Sequence, residues 1–257
     1  MLDYLRAECY KLLHRSYLWI TLLVVGGLEL VLVLLWAWLN GDTVNVTASV
    51  GFTTVLYLLS MGYYATVITS DIVFSDQYKS NTLKNEVAYG IPRVRIYLGK
   101  LFAGCLLSVA ACALLLGWYG LLCVLMLPGD GAAPEALKTL GFALLCAFPV
   151  WLGSQALYFS CFFLIRGNTA ASILGVCILA LLGQMLTFLS LLVGLPAPAL
   201  ADLLMAVRNL LLTTPLENLT DAIGDWSRVA WAWSVGAGWC VGATALGLWG
   251  FSRKEIS

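Results

Sequence analysis

The chain has 257 residues, of which 61% are hydrophobic and only 11% charged, with a formal net charge of zero and a mean hydropathy of +0.91. A water-facing globule carries roughly a quarter charged residues, so this composition excludes a soluble domain of this size and predicts an all-α integral membrane protein. Zero net charge gives no reason to expect a nucleic-acid partner.

Residues 2–15 carry a helical pattern, with Leu2, Leu5, Cys9, Leu12 and Leu13 on one face and Asp3, Glu8, Lys11 and Arg15 on the other. The pattern predicts an amphipathic helix lying in the membrane interface, over about residues 1–16. Six apolar runs then reach the length of about 20 residues that a helix needs to cross a bilayer. They are Tyr17 to Leu39, Phe52 to Phe74, Leu101 to Leu127, Thr139 to Ile165, Thr169 to Gly194 and Val229 to Phe251. The first is too long for a signal-peptide core and no small-residue cleavage site follows it, so it is expected to persist. Pro149 is expected to kink the fourth run, with neighbours satisfying the carbonyl it frees.

Glu29 lies near the middle of the first span, where an ionised carboxylate is costly and a proton or cation site is the functional expectation. The competing expectation, favoured here, is a hydrogen-bonded tie between helices through Gln155 or Gln184.

Between the second and third runs lies a polar loop, residues 75–97. Within it a short helix is predicted from Thr82 to Tyr89, ending at Gly90, with Pro92 opening the next helix. Arg93, Arg95 and Lys100, which follow, are expected to do no more than set topology. Between the fifth and sixth runs, over residues 195–228, Leu200, Leu203, Leu204, Val207, Leu210 and Leu211 recur at helical spacing. Thr214-Pro215-Leu216-Glu217 then reads as a capping box opening a second helix, with Leu216, Leu219 and Ile223 on its face and Gly224 at its end. Ser234, Gly238 and Gly242, spaced by four in the last span, predict a close helix–helix approach, inside the bundle or between subunits. Asn45-Val-Thr and Asn218-Leu-Thr match the glycosylation sequon, a pattern short enough to arise by chance.

Six spans place both ends of the chain, the 75–97 loop and the turn at Arg166 on one side. That side carries eleven Lys and Arg residues, against three on the other, Lys138, Arg208 and Arg228. The positive-inside rule therefore puts both termini in the cytoplasm. Trp36, Trp38, Trp226, Trp231 and Trp233 gather at the opposite interface, where amphipathic indoles belong.

Several chemistries are missing from the sequence. There is no G-x-x-x-x-G-K-[ST] loop to cradle nucleotide phosphates. His14 is the only histidine, which leaves no basis for Ser–His catalysis or a zinc protease motif. The eight cysteines are Cys9 and seven within apolar runs, Cys105, Cys112, Cys123, Cys146, Cys161, Cys177 and Cys240, with no C-x-x-C pair. They read as small apolar residues, not as a disulfide framework or a metal site. An enzyme is not expected.

Three features resemble the permease subunits of type-2 ABC exporters, in particular the bacterial bacitracin and lantibiotic self-immunity group. The opening Leu5-Arg-Ala-Glu-Cys-Tyr-Lys-Leu12 is similar to the family's Glu–x–x–Lys helix before the first span. The stretch from Asn81-Thr-Leu-Lys through Gly90-Ile-Pro-Arg to Lys100 is similar to the family's loop after the second span, with Asn81 where a Gly is usual. The six-span topology with outer helices before the last span agrees over the whole chain.

The resemblance implies one membrane domain over residues 1–257, with residues 1–16 as a connecting helix. It makes residues 75–97 a coupling loop seated on a separate ATPase subunit. Gln77, Tyr78, Thr82, Leu83, Lys84, Glu86, Val87 and Tyr89 would form the contact, Leu83 and Val87 as its apolar anchors. Residues 195–228 would form an outer gate built on Leu203, Leu204, Val207, Leu216 and Leu219. It further implies a bacterial cytoplasmic membrane, a second permease chain, two ATPase subunits that hold the ATP and magnesium, and an amphipathic or peptide-like cargo, such as an antimicrobial peptide, moved outward. The rival expectations are a secondary transporter driven by an ion gradient through Glu29, and a non-transporting scaffold or sensor.

Overall fold

The computed structural model describes residues 2–41, 46–74, 77 and 82–254, apart from the side chains of Leu2 and Asp221. No strand occurs among the described residues. A short helix α1 (Leu2–Leu13) leads into the first span α2 (Ser16–Leu39), with Arg15 in extended conformation between them. The second span covers Ala48–Phe74 as two helices, α3 (Ala48–Leu58) and α4 (Gly62–Phe74), joined by a tight turn over Leu59–Met61. The short helix α5 (Thr82–Ala88) precedes α6 (Arg93–Met126), α7 (Ala133–Leu164) and α8 (Asn168–Gly194). After α9 (Pro198–Arg208) comes the last span, α10 (Trp226–Arg253). Among the described residues, six helical segments are long and apolar enough to cross a membrane, and the chain is a multi-pass membrane protein.

The bundle is organised around α7. Of its most apolar stretch 61% is buried, against 11% for α2 and for α8, so α7 is the central post and those two are peripheral. Lipid tails are as apolar as leucine, so helices here are held by close packing and hydrogen bonds rather than by exclusion from water. The α7–α10 contact uses both. Pro149 has no N–H to offer Leu145, and the freed Leu145 carbonyl accepts a hydrogen bond from Trp233 Nε1 of α10 at 3.2 Å. One turn further along, Gly236 lies flat against Pro149, where a side chain would collide with the proline carbonyl, and its own carbonyl sits over Gly153. Ala232, Gly236, Ala243 and Gly247 are all buried along this face.

The sequence also offered Ser234, Gly238 and Gly242 as the close-packing stripe of this helix. They are exposed, and a Cβ added at Gly238 or Gly242 would meet nothing. The small residues that pack are two positions further round the helix.

An indole of α7 also marks the break in the second span, where the Leu59 carbonyl already takes the Gly62 N–H. Leu59 O accepts from Trp151 Nε1 at 3.1 Å, and the indole lies so close to Gly62 that a side chain there would have no room.

The outer segment departs from expectation. Thr214–Leu216 forms a single tight turn, not the start of an α-helix, and Asn218 follows in a left-handed conformation (φ 51°) that separates it from a second turn over Leu219–Ala222. The capping box is not made. Thr214 Oγ donates to Arg208 O at 2.8 Å, and Glu217 pairs with Arg208 at 2.6 Å, so both capping groups face back toward the end of α9. Within the gate residues, Leu216 and Leu219 are buried, whereas Leu203 (59% exposed) and Val207 (43%) lie on the outer surface of α9, and Leu204 is half-buried. The five residues therefore do not form one closure in this structure.

Candidate functional site

Helices α1, α5 and the first turns of α6 meet in a buried cluster of charges. The helix α5 stops as its sequence requires: Gly90 has φ +81°, Ile91 N–H bonds Glu86 O and Gly90 N–H bonds Val87 O, a Schellman arrangement. Pro92 then starts α6, whose second turn carries Lys100 into the interior, where it is 0% exposed. Lys100 Nζ lies 3.1 Å from Glu86 Oε1 of α5 and 3.3 Å from Glu8 Oε2 of α1. Lys11, one turn beyond Glu8, reaches Glu8 Oε1 at 2.8 Å and Glu86 Oε1 at 3.7 Å. Tyr4 closes the cluster: its hydroxyl donates to Glu86 Oε2 at 3.0 Å, and its ring lies 5.9 Å from the Lys100 ammonium and flat against Gly99.

Two carboxylates and two ammonium groups thus tie three helices to one another, over sequence separations of up to about ninety residues. Burial by itself would raise the Glu8 pKa, but the Lys100 ammonium, followed by Lys11, holds it below the usual carboxylate range. Burial and the neighbouring carboxylates of Glu8 and Glu86 push the Tyr4 hydroxyl well up, so it stays a hydrogen-bond donor.

This corrects two readings of the sequence. Glu8 was placed on the polar face of the first helix, yet it is 2% exposed and faces α6 beside the buried Leu12. Leu13, placed on the apolar face, is exposed. Lys100 was read as a topology signal, and it is the centre of the cluster. Arg93 has a structural role as well: its Nη1 lies 2.6–3.0 Å from the carbonyls of Phe251, Ser252 and Lys254, closing the C-terminal end of α10. Lys254 in turn donates to Phe163 O and Leu164 O at the end of α7. Both cations sit at helix ends that carry negative partial charge.

The expected contact residues divide between the two faces of α5. Leu83 is 4% exposed and belongs to the chain's own core, and Glu86 is inside the charge cluster, so neither is presented to a partner in this conformation. Val87 and Thr82 are half-buried, and Gln77 is buried with its Nε2 donating to Val73 O at 2.6 Å. The outward face is Lys84, Asn85, Ala88 and Tyr89, the last 84% exposed. Tyr78 and Asn81 lie outside the described residues.

Within the membrane the polar residues go elsewhere than expected. Gln155 is fully buried on α7 and ties three spans together: its Oε1 accepts from Thr69 and Ser108 at 2.9 and 2.8 Å, and its Nε2 donates to Ser70 at 2.9 Å. Gln184 is exposed on α8. Glu29 bonds to neither, and its Oε2 is buried without a hydrogen-bond partner among the described residues.

A family model described as "ABC-2 family transporter protein" matches residues 4–183, from α1 through most of α8. The charge cluster, α5 and the Gln155 network fall inside the matched region, and α9 and α10 beyond it. No curated relative matches the chain.

Proposed function

The chain belongs to the ABC-2 family of transporter proteins, and on that premise we propose that it is the membrane subunit of an ATP-driven exporter, coupled to a separate ATPase through α5. The observation that carries this reading is the construction of α5. A seven-residue helix is too short to hold itself together in water. Here Leu83 and the Glu86–Lys100–Glu8–Lys11 cluster fix it to α1 and α6, while Lys84, Asn85, Ala88 and Tyr89 face outward. A helix braced on its inner face and open on its outer one can pass a push directly into the third span, since Lys100 is already part of α6. The docking face is therefore Lys84, Asn85, Ala88 and Tyr89, in place of the anchors Leu83 and Val87.

In this reading two ATPase subunits bind the ATP and magnesium, and a second permease chain, identical or related, completes the pathway beside the largely uncovered α2 or α8. Both termini and α5 lie in the cytoplasm of a bacterial cell, and the cargo is an amphipathic or peptide-like molecule moved outward, as in the bacitracin and lantibiotic immunity group. The support for cytoplasmic ends is the excess of basic residues on that side, and the support for the cargo is the resemblance alone.

The test is affinity purification of the full chain from its native membrane, with identification of what accompanies it. Wild type is expected to bring down a soluble P-loop ATPase. The K84E/Y89D double variant should lose it while keeping wild-type thermal stability, because both side chains are solvent-facing. A gently solubilised preparation without an ATPase, or full retention by the double variant, would refute the coupling role. Glu29, whose buried Oε2 has no hydrogen-bond partner among the described residues, would then favour an ion-gradient mechanism, read as uptake or efflux that follows a proton or sodium gradient.

A further inference from the structure

The four charges shared by α1, α5 and α6 admit two complete pairings. In the first, Lys11 holds Glu8 Oε1 at 2.8 Å within α1, and Lys100 of α6 holds Glu86 Oε1 of α5 at 3.1 Å. In the second, Lys100 holds Glu8 Oε2 at 3.3 Å and Lys11 holds Glu86 Oε1 at 3.7 Å. All four separations lie within the roughly 4 Å of an ion pair. We propose that the cluster is an exchange joint, by which α5 passes its anchorage from the third span to α1 in switching from the first pairing to the second. The two pairings stand on geometry; their use, in relaying the movement of a docked ATPase, rests on the exporter reading.

Electrostatics requires such an exchange if α5 is to move. Lys100 is 0% exposed, Glu8 2%, and Glu86 is buried. With one pairing only, drawing α5 off α6 would strand an ammonium and a carboxylate out of water, the costly way to break a buried pair. With two, each charge keeps a partner throughout. In the first pairing α5 is tied to α6, and the two charges of α1 satisfy each other. In the second α1 is tied to both neighbours, and the direct bond between α5 and α6 is gone. The step is short. Lys100 already stands beside the Glu8 oxygen that Lys11 does not use. Lys11 is half exposed, with room to swing, and has to come only about 1 Å closer to Glu86 to make a charge-assisted bond of full strength. The Tyr4 hydroxyl donates to the other Glu86 oxygen at 3.0 Å and, being on α1, holds Glu86 to that helix in both states.

The backbone permits the movement. Helix α1 lies along α6, whereas α5 makes no such extended contact with another helix among the described residues and is held by its side chains, Leu83 and Glu86. Its link to α6 is Gly90-Ile91-Pro92, with Gly90 in the left-handed region at φ 81°, a conformation that costs glycine little. The helix can therefore turn about Gly90 while staying attached to α6.

Two charge exchanges isolate the pairings in the full chain. K11E/E8K keeps the first pairing attractive and makes both contacts of the second repulsive, and K11E/E86K does the reverse. K11E alone, which makes both Lys11 contacts repulsive, is expected to lower Tm by roughly 2–4 °C for each. Either second change should recover most of that loss. p-Benzoylphenylalanine in place of Val87 on α5 then reports position. Its adducts, mapped by mass spectrometry, should shift from α6 peptides in K11E/E8K to α1 peptides in K11E/E86K, with both present in the wild type. Recovery by E8K but not by E86K would overturn the proposal, since only one pairing would then be viable. Failure of both recoveries, or the same adduct pattern in the two rescued variants, would overturn it too. No arm uses an ATPase, so a chain that brings down none counts against the exporter reading and not against the exchange.

Discussion

Replacing Lys100 by methionine removes a fully buried ammonium and leaves Glu8 and Glu86 facing one another, with Lys11 as their remaining cation. Breaking a buried ion pair from one side costs about 3–5 kcal/mol, because the surviving charge stays out of water. Here the figure belongs at the low end, about 3 kcal/mol, since Lys11 still contacts both carboxylates at 2.8 and 3.7 Å and is itself half exposed. For a chain of this size that corresponds to a fall of roughly 6–12 °C in Tm, read by thermal unfolding in a fixed detergent and at a fixed scan rate. Lys11→Met, at the solvent edge, should cost under about 1 kcal/mol. The informative variant is the triple K100M/E8Q/E86Q. With the carboxylates neutralised, the penalty of K100M should be largely recovered, which simple loss of packing would not allow. If K100M is no worse than K11M, or if the two glutamines rescue nothing, the cluster does not hold these helices as argued.

Three further outcomes follow from particular contacts. Trp233→Phe leaves the Leu145 carbonyl unbonded and should cost about 1 kcal/mol, within the range measured for bonds between membrane helices. On a Pro149→Ala background, where residue 149 supplies its own N–H to Leu145, the same substitution should cost close to nothing, and equal costs in the two backgrounds would refute the assignment. Gly236→Ala should destabilise, because its methyl would collide with the Pro149 carbonyl, whereas Gly238→Ala, in open space, should be neutral or stabilising by up to about 1 kcal/mol; thermal unfolding reads both, and a reversed order would refute the packing. The Glu8 pKa is lowered in the folded chain, so its contribution is complete above the ordinary value of 4.5 and is lost as pH falls through the lower folded value. Unfolding temperature should therefore drop on acidification below about pH 4.5 in the wild type more steeply than in K100M/E8Q.

Much of the architecture was legible in the sequence because it depends on local quantities. Six long apolar runs fix six helices, since no other open structure satisfies its backbone in hydrocarbon. Gly90 and Pro92 fix where α5 stops and α6 starts, and the structure places both boundaries there. The anchoring of α5 was legible only in part. Leu5, Glu8 and Leu12 fall on one helical face, and a carboxylate inside an apolar stripe is itself a sign that a buried cation awaits it. Its partner, Lys100, is ninety-two positions away, and no local pattern identifies it. The outer segment was misread for a related reason. Thr214 and Glu217 have capping-box spacing, but Arg208 lies close enough to engage both, through its carbonyl and its guanidinium.

What the sequence alone determined, then, is the number of spans and the helix ends set by glycine and proline. What only the tertiary structure decided is which face of each span turns inward. Between water and a core, polarity marks the inner face of a helix. Between lipid and a core both sides are apolar, and the choice passes to shape. Both small-residue stripes of α10 have the spacing for close packing. Gly236 meets α7 because Pro149 and the freed carbonyl of Leu145 are there to receive it and Trp233, while Gly238 and Gly242 are left facing open space.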